Sequence, residues 1–314
     1  MGIIANKDNI ANAGKVNASK INKNKVKRNF SNAANYDSFT SYHNLTLKMI
    51  SQTIKNYLNK NNAPAPPKHI LDIGCGTGQG YFIVNEAIPN YKFNYFGLDF
   101  AIGLLDRAKQ NFSISGNRDN FLLICADAEL PPLKDKKFDI IFSNMALHWL
   151  NNTLHFLKNV KSALKDEGIV ILSFLSFGTL RELSECLKDA LIERREQAGS
   201  EPCNFKIEDF KLHKFPCPTY MEKEINKSGL EIIDSKVFEY VETADSSLVL
   251  LKRINMLGAK NALNAGQMPL SLLKRILNIY DKSYRNCAGK VYATYKIAYL
   301  VLKKTNENKK ALNI

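Results

Sequence analysis

No stretch of the chain approaches the ~18 consecutive apolar residues of a membrane helix, and its first residues hold no apolar block like that of a secretory leader. Arginine is scarce there, which argues against a transit peptide. The protein is therefore expected to be soluble, cytoplasmic and without membrane contact. None of the six cysteines (75, 125, 186, 203, 217, 287) falls in a Cys-x-x-Cys pair, so reduced thiols are expected. Cys203, His213 and Cys217 offer three metal-ligand types but no fourth, and no metal site is expected. Acidic residues are rare at both ends. Residues 1–68 carry 11 basic and 2 acidic groups, 69–250 carry 20 and 26, and 251–314 carry 13 and 2. Basic ends suit an acidic partner, either nucleic acid or an acidic protein. A chain filled with lysine and asparagine by compositional bias would look the same.

What is present is organised around Ile70 to Gly80, reading Ile-Leu-Asp-Ile-Gly-Cys-Gly-Thr-Gly-Gln-Gly. A short apolar run entering three alternate glycines predicts a strand, a tight turn and a helix from about Gln79. Gly74, Gly76 and Gly78 allow positive φ and let a ligand lie against the backbone. Tyr95 to Phe100 and Phe121 to Asp127 read as two further strands, again ending in acids. Asp72, Asp99 and Asp127 then share the carboxyl edge of a parallel sheet, where open α/β folds bind ligands. Asp99 lies about 20 residues past the last turn glycine, the distance of a ribose-binding carboxylate. A pyrophosphate site prefers Gly-x-Gly-x-x-Gly. Alternate glycines flanked by acids suit a cationic ligand instead.

The 314 residues suffice for one large domain. Residues 1–25, rich in Asn, Lys and Ala without apolar periodicity, are expected to be a disordered extension. Residues 26–314 form the domain, with a first helix over 38–60 whose apolar positions are Leu45, Met49, Thr53 or Ile54, and Tyr57 or Leu58. Ala63 to Pro67 is a stiff linker. Over 68–176 strands alternate with helices, which predicts βαβ units: strands also at Phe138–Asn144 and Gly168–Phe174, helices near 79–88, 102–110 and 152–164. Helical insertions occupy 178–228 and 246–286, the first opening on a capping box at Thr179 to Glu182. Strands at Leu230–Val241 and Lys290–Leu302 complete a doubly wound, mostly parallel seven-stranded sheet. The insertions would cover its carboxyl edge as a lid.

Through Asp72 to Gly78, Asp99, and Asp127 with Ala128, residues 68–176 resemble the S-adenosylmethionine-dependent methyltransferases. The resemblance implies a Rossmann-like fold, S-adenosylmethionine as cofactor, Asp99 on its ribose, and Asp127 with Ala128 at its adenine. Further segments narrow the likeness to the malonyl-acyl-carrier-protein O-methyltransferases of biotin biosynthesis. They are Phe30, Ala33-Ala34 and Tyr36-Asp37; Glu129 to Leu133 with Phe138-Asp139; Ser143 to Trp149; Gly178 to Leu183; and Leu251 to Ala259. This likeness spans about 26–304. It implies a donor contact at Asn144, site closure by Tyr36, and a malonyl thioester on carrier protein or coenzyme A as acceptor. His148 and His43 stand where glutamine is common in that family.

A carboxylate with a pKa near ~4 is already a nucleophile at neutral pH. That fits the absence of any Ser-His-Asp or Cys-His logic. His148 remains open as a base, a steering group or a wall residue. Lys252 or Arg253 would recognise the malonyl carboxylate, or else be solvated helix charges. The expected protein is a monomer without nucleic acid. Alternatives left open are an arginine-modifying respiratory-complex assembly factor of the same fold and a methyltransferase for another small molecule or RNA. For RNA, base-stacking aromatics among the basic residues are lacking.

Overall fold

The computed structural model describes residues 20–31, 41–59, 67–114, 121–198, 213–256 and 268–305. Seven strands form one sheet in the order β3-β2-β1-β4-β5-β7-β6. They are β1 (His69–Ile73), β2 (Asn94–Asp99), β3 (Phe121–Cys125), β4 (Phe138–Asn144), β5 (Leu164–Leu175), β6 (Leu230–Ala244) and β7 (Val291–Lys304). The first five run parallel, and β7 pairs antiparallel with both β5 and β6. Central strands buried on both faces read as continuous apolar runs: Ile70, Leu71, Ile73, Ile140, Ile141 and Phe142 are all inaccessible to solvent. Chain order reverses at β1, so the crevice between the β1 and β4 ends is the topological switch point.

Among the described residues two helices precede the sheet, α1 (Lys23–Ser31) and α2 (Ser41–Leu58). Residues 23–25, expected within a disordered extension over 1–25, instead open α1, while residues 1–19 lie outside the described residues. A nine-residue helix is marginal alone. This one is held by Val26 and Phe30, four residues apart, which bury against Ala101 and Leu104 for about 1.5–3 kcal/mol each. Gly103 admits the helix end, since a Cβ there would lie 2.4 Å from the Ser31 carbonyl oxygen.

The buried stripe of α2 is Tyr42, Thr46, Leu47, Ile50 and Ile54, whereas Leu45 faces outward. The expected stripe through Leu45 and Met49 is offset from the buried one, which includes Thr46, whose hydroxyl is buried against Asn144. Helices α3 (Gln79–Ala87), α4 (Ile102–Ile114) and α5 (Thr153–Ala163) fill the βαβ crossovers. Helices α6 (Arg181–Ala198) and α7 (Pro218–Ser228) follow β5, and α8 (Ser247–Met256) and α9 (Leu270–Ser283) lie between β6 and β7. Of these, α6, α8 and α9 share a cluster of Leu183, Leu187, Leu251, Ile254 and Ile276 with the β7 residues Tyr295 and Ile297, whereas α7 packs by Met221 and Ile225 with Phe156 and Val160 of α5.

The capping box expected at Thr179 does not form. The Thr179 hydroxyl donates to the Ser176 and Lys296 carbonyls, while the Glu182 carboxylate, 1% exposed, accepts from the backbone N–H and hydroxyl of Thr294. Both side chains serve the β5–β7 junction. No helix among the described residues is long and apolar enough to cross a membrane.

Candidate functional site

The turn after β1 has the predicted geometry, with φ of +77°, +55° and +82° at Gly74, Gly76 and Gly78. Gly74 has a second reason to lack a side chain: a Cβ would stand 2.5 Å from the Ala146 Cβ, so the turns after β1 and β4 press together. Asp99, at the end of β2, braces the turn, its Oδ2 accepting from the Gly76 N–H at 3.0 Å and its Oδ1 from the Ala101 N–H at 2.8 Å. Burial raises its pKa, against the backbone N–H groups of Ala101, Gly76 and Phe100, which pull it down.

Asp72 lies deeper than the sequence reading placed it. It is 2% exposed, Oδ2 accepts from the Tyr95 hydroxyl at 2.6 Å, and Oδ1 is buried without a partner among the described residues. Burial pushes its pKa up to about 7, the Tyr95 hydrogen bond pulls it down, and the charge of Asp99 adds to the rise.

Asp127, beyond β3, is held from α1. Lys23 Nζ donates to its Oδ1 and Oδ2 at 2.7 and 2.6 Å and reaches Glu129 Oε2 at 2.9 Å. Ala128 beside it packs partly buried against the core under the sheet. Asn151 ties the strap by accepting from the Ile21 N–H and donating to the Ile21 carbonyl, and Phe30 meets Trp149 edge-on at 5.6 Å. Lys23 was not among the expected site residues. The sequence signal for it was the Val26/Phe30 pair that makes α1 a helix.

Asn144 fastens α2 rather than presenting a free amide. Its Oδ1 accepts from the hydroxyls of Thr46 at 2.7 Å and Ser173 at 2.5 Å, and its Nδ2 donates to the His43 carbonyl at 3.2 Å. His148 follows in a short 3-10 turn, Leu147–Trp149. Burial, then the neighbouring His213 and His43, hold its pKa well below the usual histidine range. Burial also drops His43 to about 3.

The insertion cations differ in their partners. Arg253 donates to Glu242 Oε1 at 3.3 Å and to the Thr243 carbonyl at 3.0 Å, and Lys252 is exposed. Tyr36, Cys203, Lys260 and the Gly258-Ala259 pair lie outside the described residues. His213 bonds the His148 carbonyl and Cys217 meets the Thr219 hydroxyl.

Comparison with known proteins bears on this edge of the sheet directly. Residues 71–172, from β1 into β5, match the family model described as a methyltransferase domain. This part of the chain is similar to a methyltransferase domain. Its cofactor is S-adenosylmethionine. The domain lies inside a longer similarity. A malonyl-[acyl-carrier protein] O-methyltransferase from Marinomonas is 26% identical over 276 residues, covering 86% of this chain and 90% of the relative. Another of that name from Bacillus cereus is 28% identical over 273 residues, covering 85% and 93%. Among solved structures, a putative methyltransferase from Bacillus halodurans superposes with a TM-score of 0.54 at 14% identity, over 82% of this chain and 99% of its own. That likeness supports the Rossmann-like methyltransferase fold.

The residues present fit such a cofactor. The turn carries its three glycines at positive φ beside the Asp99 carboxylate, and the Asp72 carboxylate beneath it has an unsatisfied oxygen suited to a cationic ligand.

Proposed function

We propose that this protein transfers a methyl group from S-adenosylmethionine to the free carboxylate of a malonyl thioester, carried on acyl carrier protein or coenzyme A. The observation that carries the reading is the character of the histidines at the β4 end. His148 and His43 are buried with strongly depressed basicity, and His213 is shifted the same way. Such groups are poor bases for a hydroxyl or amine acceptor, because a general base works best with a pKa near the operating pH. An acceptor that is already an anion needs none. The extent of similarity to the relatives named as malonyl-carrier methyltransferases, which runs through the insertions, supports the same acceptor.

When bound, S-adenosylmethionine supplies a methyl group made electrophilic by its sulfonium. Gly74, Gly76 and Gly78 would give its amino-acid end access to backbone, with Asp72 below as counter-charge. Asp99 would accept from the ribose and Asp127 from the adenine amino group. The chain's own contribution is alignment and exclusion of water, which α1, α2 and the insertions provide by covering the edge.

The test is incubation with labelled donor and, separately, malonyl-carrier protein, malonyl-CoA, acetyl-CoA and bulk RNA. Base-labile label in the malonyl substrates alone is the expected result. Label in RNA, or in none of the four, overturns the reading.

A further inference from the structure

His148 is 6% exposed, and its Nδ1 has no hydrogen-bond partner among the described residues. A buried polar atom left unpaired costs roughly 1–3 kcal/mol, so it marks a place that a partner fills. The ring is walled by Trp149, Phe215 and His213, with centroids 5.2, 5.9 and 6.0 Å away. His213, brought by the insertion after β5, donates from Nε2 to the His148 backbone carbonyl at 2.8 Å and so fixes the turn that carries the ring. Two residues earlier, Ala146 presses on Gly74 of the donor turn. The turn that carries His148 is thus the one pressed on the donor turn, and His213 and Phe215 of the insertion after β5 cover the ring.

Resting on the malonyl-thioester reading, we propose that His148 recognises the acceptor carboxylate by donating one hydrogen bond from Nδ1–H of a neutral imidazole, with His213 as its positioning residue. A guanidinium or ammonium there would grip the carboxylate in a charge-assisted pair and draw off the electron density that must attack. A neutral donor holds one oxygen and leaves the other free. Burial beside His213 and His43 keeps the ring uncharged at physiological pH. The free oxygen forms the bond to the methyl carbon as the carbon–sulfur bond breaks, and that electron pair returns to sulfur. No proton moves, so a weakly basic histidine suffices.

Variants separate the two ring nitrogens. His148→Asn puts an amide nitrogen near the Nδ1 position, His148→Gln near the Nε2 position, and His148→Leu provides none. Calorimetry on the S-adenosylhomocysteine-loaded protein should show malonyl-CoA binding about tenfold tighter than acetyl-CoA in the wild type. Asn should keep that preference within about threefold, Gln should lose about fivefold, and Leu should abolish it, with S-adenosylhomocysteine affinity unchanged throughout. His213→Phe, which keeps the wall but not the bond, should raise KM for malonyl-CoA with less effect on kcat. A malonyl preference intact in Leu, or equal behaviour of Asn and Gln, overturns the proposal. Should Leu fail a thermal-melt check, the Asn-against-Gln order decides alone. Methylation of malonyl substrates without that order sinks the role of His148 and leaves the functional reading standing. A wild type that methylates no malonyl thioester sinks both.

Discussion

Lys23 holds both carboxylate oxygens of Asp127, at 2.7 and 2.6 Å, from a helix that lies over the carboxyl edge of the sheet. Asp127 is also the acid that the adenine amino group would need. Under the proposed reading strap and cofactor would meet at one carboxylate, and Trp149, against Phe30 of the strap and His213 of the insertion, sits where both covers touch the turn after β4.

Removing the competing cation should therefore help the cofactor. Half-exposed pairs contribute about 0.2–1 kcal/mol, so Lys23→Met should tighten S-adenosylmethionine binding by no more than about fivefold and flatten its salt dependence. Trp149 is the only tryptophan, and its emission reports whether α1 stays seated. Weaker binding with unchanged emission would show that Lys23 supports the cofactor.

Asp99→Asn keeps the shape and one acceptor oxygen but removes the charge from the ribose position. A hydrogen bond to a charged group contributes about 1.5–3 kcal/mol, so cofactor affinity should fall roughly tenfold to a hundredfold. Because Asp99 also braces the N–H groups of Gly76 and Ala101, a melting curve must accompany the calorimetry. Unchanged affinity in a folded variant would remove Asp99 from the site.

The pH dependence follows from Asp72. Its folded pKa, about 7, lies above its ordinary 3.8, so the folded chain binds this proton more tightly than the unfolded chain does. That contribution to stability is full below 3.8 and is lost as pH rises through about 7. Binding runs the other way. A cationic ligand needs the carboxylate, so affinity should climb with pH towards about 7, below the range where a free amino group titrates, ~7.7–8.0. Asp72→Asn should flatten both profiles. The groups facing Asp72 are Tyr95, Asp99 and Cys75: burial raises the Tyr95 hydroxyl and the Cys75 thiol well above that window, and Asp99, itself raised by burial, is separated by repeating the profile in Asp99→Asn. A wild-type affinity flat from pH 5 to 7 would refute the assignment.

Much of this was legible because it is local. Strand ends at Ile73 and Asp99 follow from apolar runs stopped by glycine or acid, and the order of elements predicted the mostly parallel seven-stranded sheet. The errors arose where a polar side chain serves a distant segment. Thr46 and Ser173 are buried because Asn144 accepts from both, and Glu182 binds Thr294 across 112 positions. No window of sequence contains such a pair. Lys23 was missed for the same reason, since its two acids lie more than a hundred residues away.

The basic groove of α9 offers the last test. Lys274, Asn278 and Lys282 line it, with Glu193 of α6 at its edge, while Arg275 is paired with Glu193 at 3.6 Å. Lys252 of α8 is the further exposed cation. An acidic carrier delivering malonate on a flexible arm would be steered by such a surface, through encounter rather than tight contact. Each exposed pair contributes about 0.2–1 kcal/mol, so single changes should do little. Reversing Lys252, Lys274 and Lys282 together to glutamate should raise KM for malonyl-carrier protein about tenfold and flatten its salt dependence. Malonyl-CoA, which lacks the protein surface, should be turned over as before, and cofactor affinity should not move. Equal losses with both substrates would place these lysines in the fold or the pocket. No loss with either would leave the basic end as composition alone.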